Sequence, residues 1–197
     1  PELPVNSVLD ELCFVLRQYG CAVLQAPPGA GKTTRVPLAL LDEADERKII
    51  MLEPRRLAAR AAAQQMARLL GETVGARVGY RVRMENRVGP HTRIEVITEG
   101  ILTRMVQDDP LLSKVHTVIF DEFHERHIHS DLGLALLMDV QTGLRNDLRL
   151  LVMSATLDGE AVSALLGNAP VVTAKGRPFP VETRYLSRPA GPDRVDA

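Results

Sequence analysis

Residues 26–33 read A-P-P-G-A-G-K-T, and their types suit one task, the holding of a polyphosphate. Gly29 and Gly31 let the backbone curl until several N–H groups point at one anion. A helix starting there adds the positive end of its dipole. Lys32 supplies a cation for the terminal phosphates, and the Thr33 hydroxyl can ligate magnesium. Pro28, Ala30 and Thr34 complete the stretch expected to touch a nucleotide. Ala26 stands where the strict motif has glycine. Downstream, Asp121 and Glu122 close an apolar run. In a phosphate-cradling fold the first carboxylate can hold magnesium through its waters, and the second can take a proton from an attacking water. The bland alternatives are an ordinary glycine-rich turn and a solvated acidic turn; the two motifs together favour the chemical reading.

Such residues must be carried by strands that end side by side. Residues 21–24 form a short apolar run before the glycine loop, and a helix-like stretch over 34–41 follows it. Residues 48–52, 118–120 and 150–153 are continuous rather than alternating apolar runs, the pattern of strands covered on both faces. Residues 78–82 and 93–97 read as further strands. A helix over 57–70 carries Ala59, Ala62, Met66 and Leu69 on one face and Arg60, Gln64 and Arg68 on the other, with Gly71 as a stop. Ser130 is expected to cap a helix through Leu132, Leu136, Leu137 and Val140 that is apolar nearly all round and buried. Asn6 or Ser7 is expected to cap a first helix with Val8, Leu12, Val15 and Leu16. Pro37 predicts a kink or a short helix after the loop. This alternation predicts an α/β sandwich on a mostly parallel sheet. Residues 1–174 read as the domain. Residues 175–197, rich in proline and glycine and interrupted by a short strand at 181–186, read as a linker.

Composition narrows the rest. A formal net charge of −1 argues against a generally basic nucleic-acid coat, so any such contact rests on local clusters. Cys13 and Cys21 have no metal or redox spacing and read as reduced thiols of a cytosolic protein. His124, His127 and His129 crowd together, but no second ligand cluster accompanies them, so zinc is not expected. No apolar run approaches a membrane span, and no charged-then-apolar leader begins the chain, so a cytoplasmic location is expected.

The motif D-E-F-H-E-R at 121–126 resembles the magnesium-binding box of DEAH-type superfamily 2 helicases, with Phe123 in place of the usual Ala. E-P-R-R-L-A-A at 53–59 looks like motif Ia of that family, T-E-G-I-L at 98–102 like motif Ib, and S-A-T at 154–156 like motif III. G-Y-R-V-R at 79–83 and G-R-P-F-P-V at 176–181 are similar to further family segments. Each motif alone is weak; their shared order over residues 20–186 is specific. The resemblance implies a P-loop NTPase, a RecA-like three-layer sandwich, and the first of two motor domains that bind ATP and Mg2+ between them. By that resemblance Gly29, Gly31 and Lys32 hold phosphates, Thr33 and Asp121 hold magnesium, and Glu122 deprotonates water. His124 links that site to the S-A-T segment, whose Ser154 and Thr156 relay the nucleotide state to the second motor domain. Arg55, Arg56, Thr98 and Gly100 contact the backbone of single-stranded RNA or DNA. Gln65 stands where relatives often carry an Arg against adenine, so loose base selectivity is expected. The second domain's Q-R-x-G-R-x-G-R arginine-finger motif does not occur here, so weak or undetectable ATPase is expected from this stretch alone.

Other readings stay open. A kinase would need an acceptor pocket and a lid, and no Arg-rich lid follows S-A-T. A nucleotide-dependent switch or scaffold would bind without turnover, against which Lys32, Thr33, Asp121 and Glu122 are all intact. Arg60 and Arg68 either meet the nucleotide base or face solvent.

Overall fold

The computed structural model describes residues 3–155 and 159–176. Strands β1 (Cys21–Gln25), β2 (Lys48–Leu52), β3 (Val78–Val82), β4 (Glu85–Arg87), β5 (Ile94–Ile97), β6 (Val115–Phe120), β7 (Arg149–Ser154) and β8 (Val171–Thr173) form one sheet in the order β4-β3-β5-β2-β6-β7-β1-β8. Every pairing is parallel except the β3–β4 hairpin. The helices are α1 (Leu9–Tyr19), α2 (Lys32–Ala39), α3 (Arg56–Leu69), α4 (Glu99–Asp108), α5 (Ile128–Gly143) and α6 (Gly159–Leu165).

Alternate residues of each central strand feed two separate cores, which is why their runs are continuously apolar. Ile49 and Met51 of β2 pack with Leu12 and Leu16 of α1, Val36 of α2 and Ala59, Ala63 and Met66 of α3. Ile50 and Leu52 join Leu102 of α4, Leu134 and Leu137 of α5 and Val162 of α6. The result is the expected three-layer α/β sandwich on a mostly parallel sheet. None of the helices in the described residues is long and apolar enough to cross a membrane.

Several local expectations are corrected. Asn6 and Ser7 lie inside a 3-10 turn (Pro4–Val8), where the Ser7 hydroxyl donates to the Pro4 carbonyl at 2.9 Å, and α1 starts at Leu9 with no side-chain cap. The turn already supplies a helical entry, so no capping oxygen is required. Helix α5 begins before Ser130, whose hydroxyl instead donates to Glu99 Oε1 at 2.5 Å. Leu134, Leu137 and Val140 of α5 are buried in the core and Met138 packs against it, while Ile128, Leu132 and Leu136 are exposed, since a helix lying on a sheet buries one stripe. Leu69 sits at the margin of the buried face of α3 and is exposed. Arg60 is half-buried, its side chain 33% exposed, and pairs with Glu85, which also accepts the Tyr80 hydroxyl at 2.5 Å. Strands β4 and β8 are short edge strands, and β4 (E-N-R) carries no apolar signal in the sequence. Helix α2 is short, with Pro37 inside it. Thr156 and the strand expected at 181–186 lie outside the described residues.

Glu95 of β5 is fully buried and balances two cations, Lys48 and Arg81, the latter through Nε at 2.8 Å. Removing the carboxylate strands both in a poorly solvated place. Glu95→Ala is expected to lower unfolding free energy in urea by about 2 kcal/mol, below the roughly 3–5 kcal/mol of a fully buried pair because both cations keep some solvent access.

Candidate nucleotide site and nucleic-acid face

Strand β1 lies beside β7 with Gln25 opposite Ser154, and the chain turns straight into the loop. The Ala26 N–H donates to the Ser154 carbonyl at 3.0 Å. Ala26 is not among the residues with positive φ, so its backbone does not require glycine there. Gly29 (φ 76°) and Gly31 (φ 91°) do occupy the left-handed region, and a Cβ on Gly31 would stand 2.7 Å from Leu3 Cδ1. The Ala30 N–H donates to the Pro27 carbonyl, while the Ala30 carbonyl accepts from Val5 N–H, both at 3.1 Å. The loop is thereby anchored on both sides. Gly31 caps α2; its carbonyl accepts from Thr34 N–H at 3.3 Å and Arg35 N–H at 2.9 Å, while the Lys32 and Thr33 N–H groups open the first turn ahead of the intrahelical ladder. Pro28 is exposed at the loop tip.

The carboxylates at the end of β6 meet this turn. Thr33 Oγ1 donates to Asp121 Oδ2 at 2.5 Å, and the buried Lys32 ammonium donates to Glu122 Oε1 at 2.8 Å. Glu122 adopts φ 50° and opens a 3-10 turn (Phe123–Glu125), its N–H donating to Asp121 Oδ1 at 2.8 Å. His124 Nε2 lies 3.3 Å from Glu122 Oε2, and Nδ1 accepts the Ala155 N–H at 3.3 Å. A neutral imidazole with its proton on Nε2 satisfies both contacts. Ser154, buried at the end of β7, reaches the loop through its carbonyl.

Glu53 is a member of this cluster that the motifs did not single out. It ends β2 as Asp121 ends the neighbouring β6, and that parallel was the available signal. Its N–H donates to the Ile97 carbonyl at 2.9 Å, and its side chain is buried. Burial, then the charge of Asp121 and a hydrogen bond to it, push the Glu53 carboxyl up to about 9. Burial also raises Asp121, opposed by the Thr33 hydroxyl and the Lys32 charge. The cluster therefore carries more carboxylates than cations, all hard oxygen donors. No group of three or more His, Cys, Asp or Glu among the described residues forms a metal cage. A hydroxyl and one carboxylate suit a magnesium ion that shares its coordination with phosphates and water. Beside the cluster opens a cleft of about 370 Å³, lined by Thr33, Thr34, Glu53, Ala58, Ala61, Ala62, Gln65 and Glu122. A more enclosed cavity of about 210 Å³ around Cys13, His116 and Arg149 contains none of these residues.

Arg55 and Arg56 are exposed where β2 leads into α3. Arg55 Nη2 donates to Glu125 Oε1 at 2.7 Å. Thr98 precedes α4 and Gly100 lies in its first turn, at the end of β5. Since β2 and β5 are parallel neighbours, both helix starts share the edge of the sheet that carries the nucleotide cluster. His127 Nε2 lies 3.3 Å from Glu125 Oε2.

The raised Glu53 carboxyl makes a pH prediction. Between about 4.5 and 9 the folded chain holds a proton that the unfolded chain releases, so stability falls as pH rises through that window. Glu53→Gln mimics the protonated acid. In the absence of nucleotide it is expected to flatten the pH dependence and to raise the melting temperature above wild type at pH 8, read by thermal unfolding at pH 5, 6.5 and 8.

The sequence profile described as "DEAD/DEAH box helicase" matches residues 10–165. The chain is 59% identical over 189 residues to "ATP-dependent RNA helicase HrpB" of Escherichia coli (strain K12), covering 95% of this chain and 23% of that protein. It is 35% identical over 185 residues to "ATP-dependent RNA helicase HrpA" of the same organism, covering 93% of this chain and 14% of that protein. The crystal structure of Escherichia coli DEAH/RHA helicase HrpB superposes with a TM-score of 0.89 at 59% identity, covering 95% of this chain and 24% of the other. The chain thus spans less than a quarter of each of these relatives. With a RecA-like fold, a phosphate loop and an acidic strand end in hydrogen-bond contact, and a profile match over most of its length, the chain belongs to the DEAD/DEAH box helicase family.

Proposed function

We propose that this chain is the ATP-binding motor domain of an ATP-dependent RNA helicase, with a second RecA-like domain elsewhere in the full-length protein completing the ATP cleft. The observation that supports it most directly is the convergence of Lys32, Thr33, Asp121, Glu122 and His124 at one point. The loop N–H groups and Lys32 bind the β- and γ-phosphates. Thr33 and Asp121 hold the magnesium, which when bound neutralises charge on the phosphoryl group being transferred. Lys32 now spends its charge on Glu122; turning to the γ-phosphate releases that carboxylate to orient and deprotonate water. His124 holds the other oxygen of Glu122 and reads the position of Ala155, so Ser154 and Thr156 report the nucleotide state to the second domain. Gln65 and the small alanines beside the cleft make few demands on a base.

Arg55, Arg56, Thr98 and Gly100 take the sugar-phosphate backbone of single-stranded RNA. The relatives named as RNA helicases support RNA over DNA. Contacts to phosphate carry no sequence code, so binding is sequence-tolerant and salt-sensitive. A cytoplasmic location fits this substrate.

Lys32→Ala is expected to abolish the heat of Mg·ATP binding in calorimetry and to remove RNA-stimulated ATP hydrolysis by the full-length protein. Intact binding by the variant overturns the site. Wild-type binding without turnover favours a switch, and phosphate transfer to a small acceptor favours a kinase. Replacing Arg55 and Arg56 by alanine should weaken RNA of any sequence alike. It should also make the plot of log affinity against log salt shallower by about 0.7 for each phosphate that is no longer neutralised.

A further inference from the structure

Glu125 touches both halves of the site. Its Oε1 accepts from Arg55 Nη2 at 2.7 Å, and its N–H donates to the Glu122 carbonyl at 2.9 Å. The Arg55 side chain is 72% exposed and that of Glu125 24%, so an incoming anion can reach the guanidinium while the carboxylate stays held. An oxygen acid opposite an arginine presents what a phosphodiester presents, an anionic oxygen on a guanidinium donor.

The segment carrying Glu125 has little slack. The 3-10 turn is bracketed by two residues in the left-handed region, Glu122 (φ 50°) and Arg126 (φ 52°). Arg126 Nη2 donates to Asp131 Oδ2 at 3.0 Å, and its guanidinium stands 5.8 Å from the centre of the Phe123 ring. Phe123 is buried with its ring edge-on to Phe120. His124, between Phe123 and Glu125, is the residue that holds Glu122 Oε2. A shift of Glu125 therefore bears on His124 and Glu122.

We propose that Glu125 is an RNA-responsive positioning residue. Its carboxylate holds Arg55 where an RNA phosphate will sit, and the exchange of carboxylate for phosphate is passed through the turn to Glu122. The proposal rests on Arg55 being a contact to the RNA backbone. An exposed ion pair is weak, so RNA displaces the carboxylate readily.

The test compares wild-type full-length protein with Glu125→Gln, Glu125→Asp, Arg55→Ala and the Arg55→Ala/Glu125→Gln double variant. Affinity for a labelled oligouridine is read by fluorescence anisotropy at one low salt concentration, and ATP turnover is titrated with the same RNA. Glu125→Gln is expected to bind RNA about two- to fivefold tighter, the range that removal of an exposed ion pair allows. The RNA concentration for half-maximal ATPase should fall by the same factor, and the ratio of RNA-saturated to RNA-free turnover should shrink. Glu125→Asp keeps the charge but is one methylene too short to reach Arg55, so it should shift affinity in the same direction. In the Arg55→Ala background, Glu125→Gln should change nothing. Unchanged or weaker binding by Glu125→Gln, or a gain that persists without Arg55, overturns the role of Glu125. Arg55→Ala binding RNA as well as wild type sinks the backbone-contact reading itself, a separate outcome.

Discussion

The bridge from Lys32 and Thr33 to Asp121 and Glu122 is the contact on which the rest of this structure depends. Its members sit about ninety residues apart, on strands that are not neighbours: β7 lies between β1 and β6. Only a parallel sheet whose strands all end at the same level can bring the loop after β1 and the carboxylates after β6 into hydrogen-bond range. The two apolar cores on its faces supply that rigidity, and the residues at the strand ends inherit it.

The bridge is also electrostatically unfinished. One buried ammonium faces the carboxylates of Glu53, Asp121 and Glu122, and burial, with their mutual repulsion, raises both the Glu53 and the Asp121 carboxyls. The proposed magnesium and polyphosphate would bring charge of both signs to this point. Phosphoryl transfer asks little covalent chemistry of the protein and much positioning. The left-handed backbone at Gly29, Gly31 and Glu122 is where that positioning is most demanding. Two of these are glycines; at Glu122 the non-glycine conformation is held by its N–H to Asp121 and by the side-chain contacts of both its oxygens.

Much of this architecture is legible in the order of residues. Continuous apolar runs mark the central strands because both of their faces are covered, and glycine, lysine and threonine mark the loop because a tight backbone curl, a cation and a hydroxyl in that order suit a phosphate. The edge strands are silent: β4 is polar on both faces and carries no burial pattern. The expectation of an all-round buried α5 fails because apolar content does not say which stripe meets the sheet; Ile128 is 77% exposed. Arg60 could not be assigned from helical periodicity, since its partner Glu85 arrives on a hairpin from another layer.

By itself, the order of residue types determined the layered fold, the phosphate loop and the acidic strand end, since each is a local pattern with a local physical cause. Tertiary structure alone decided that Glu53 joins the cluster, that Arg55 rests on Glu125, and that His124 spans from Glu122 to Ala155. Those contacts join residues from different strands and turns. Their existence depends on which strands lie side by side and where each one ends, and no local spacing in the chain records that.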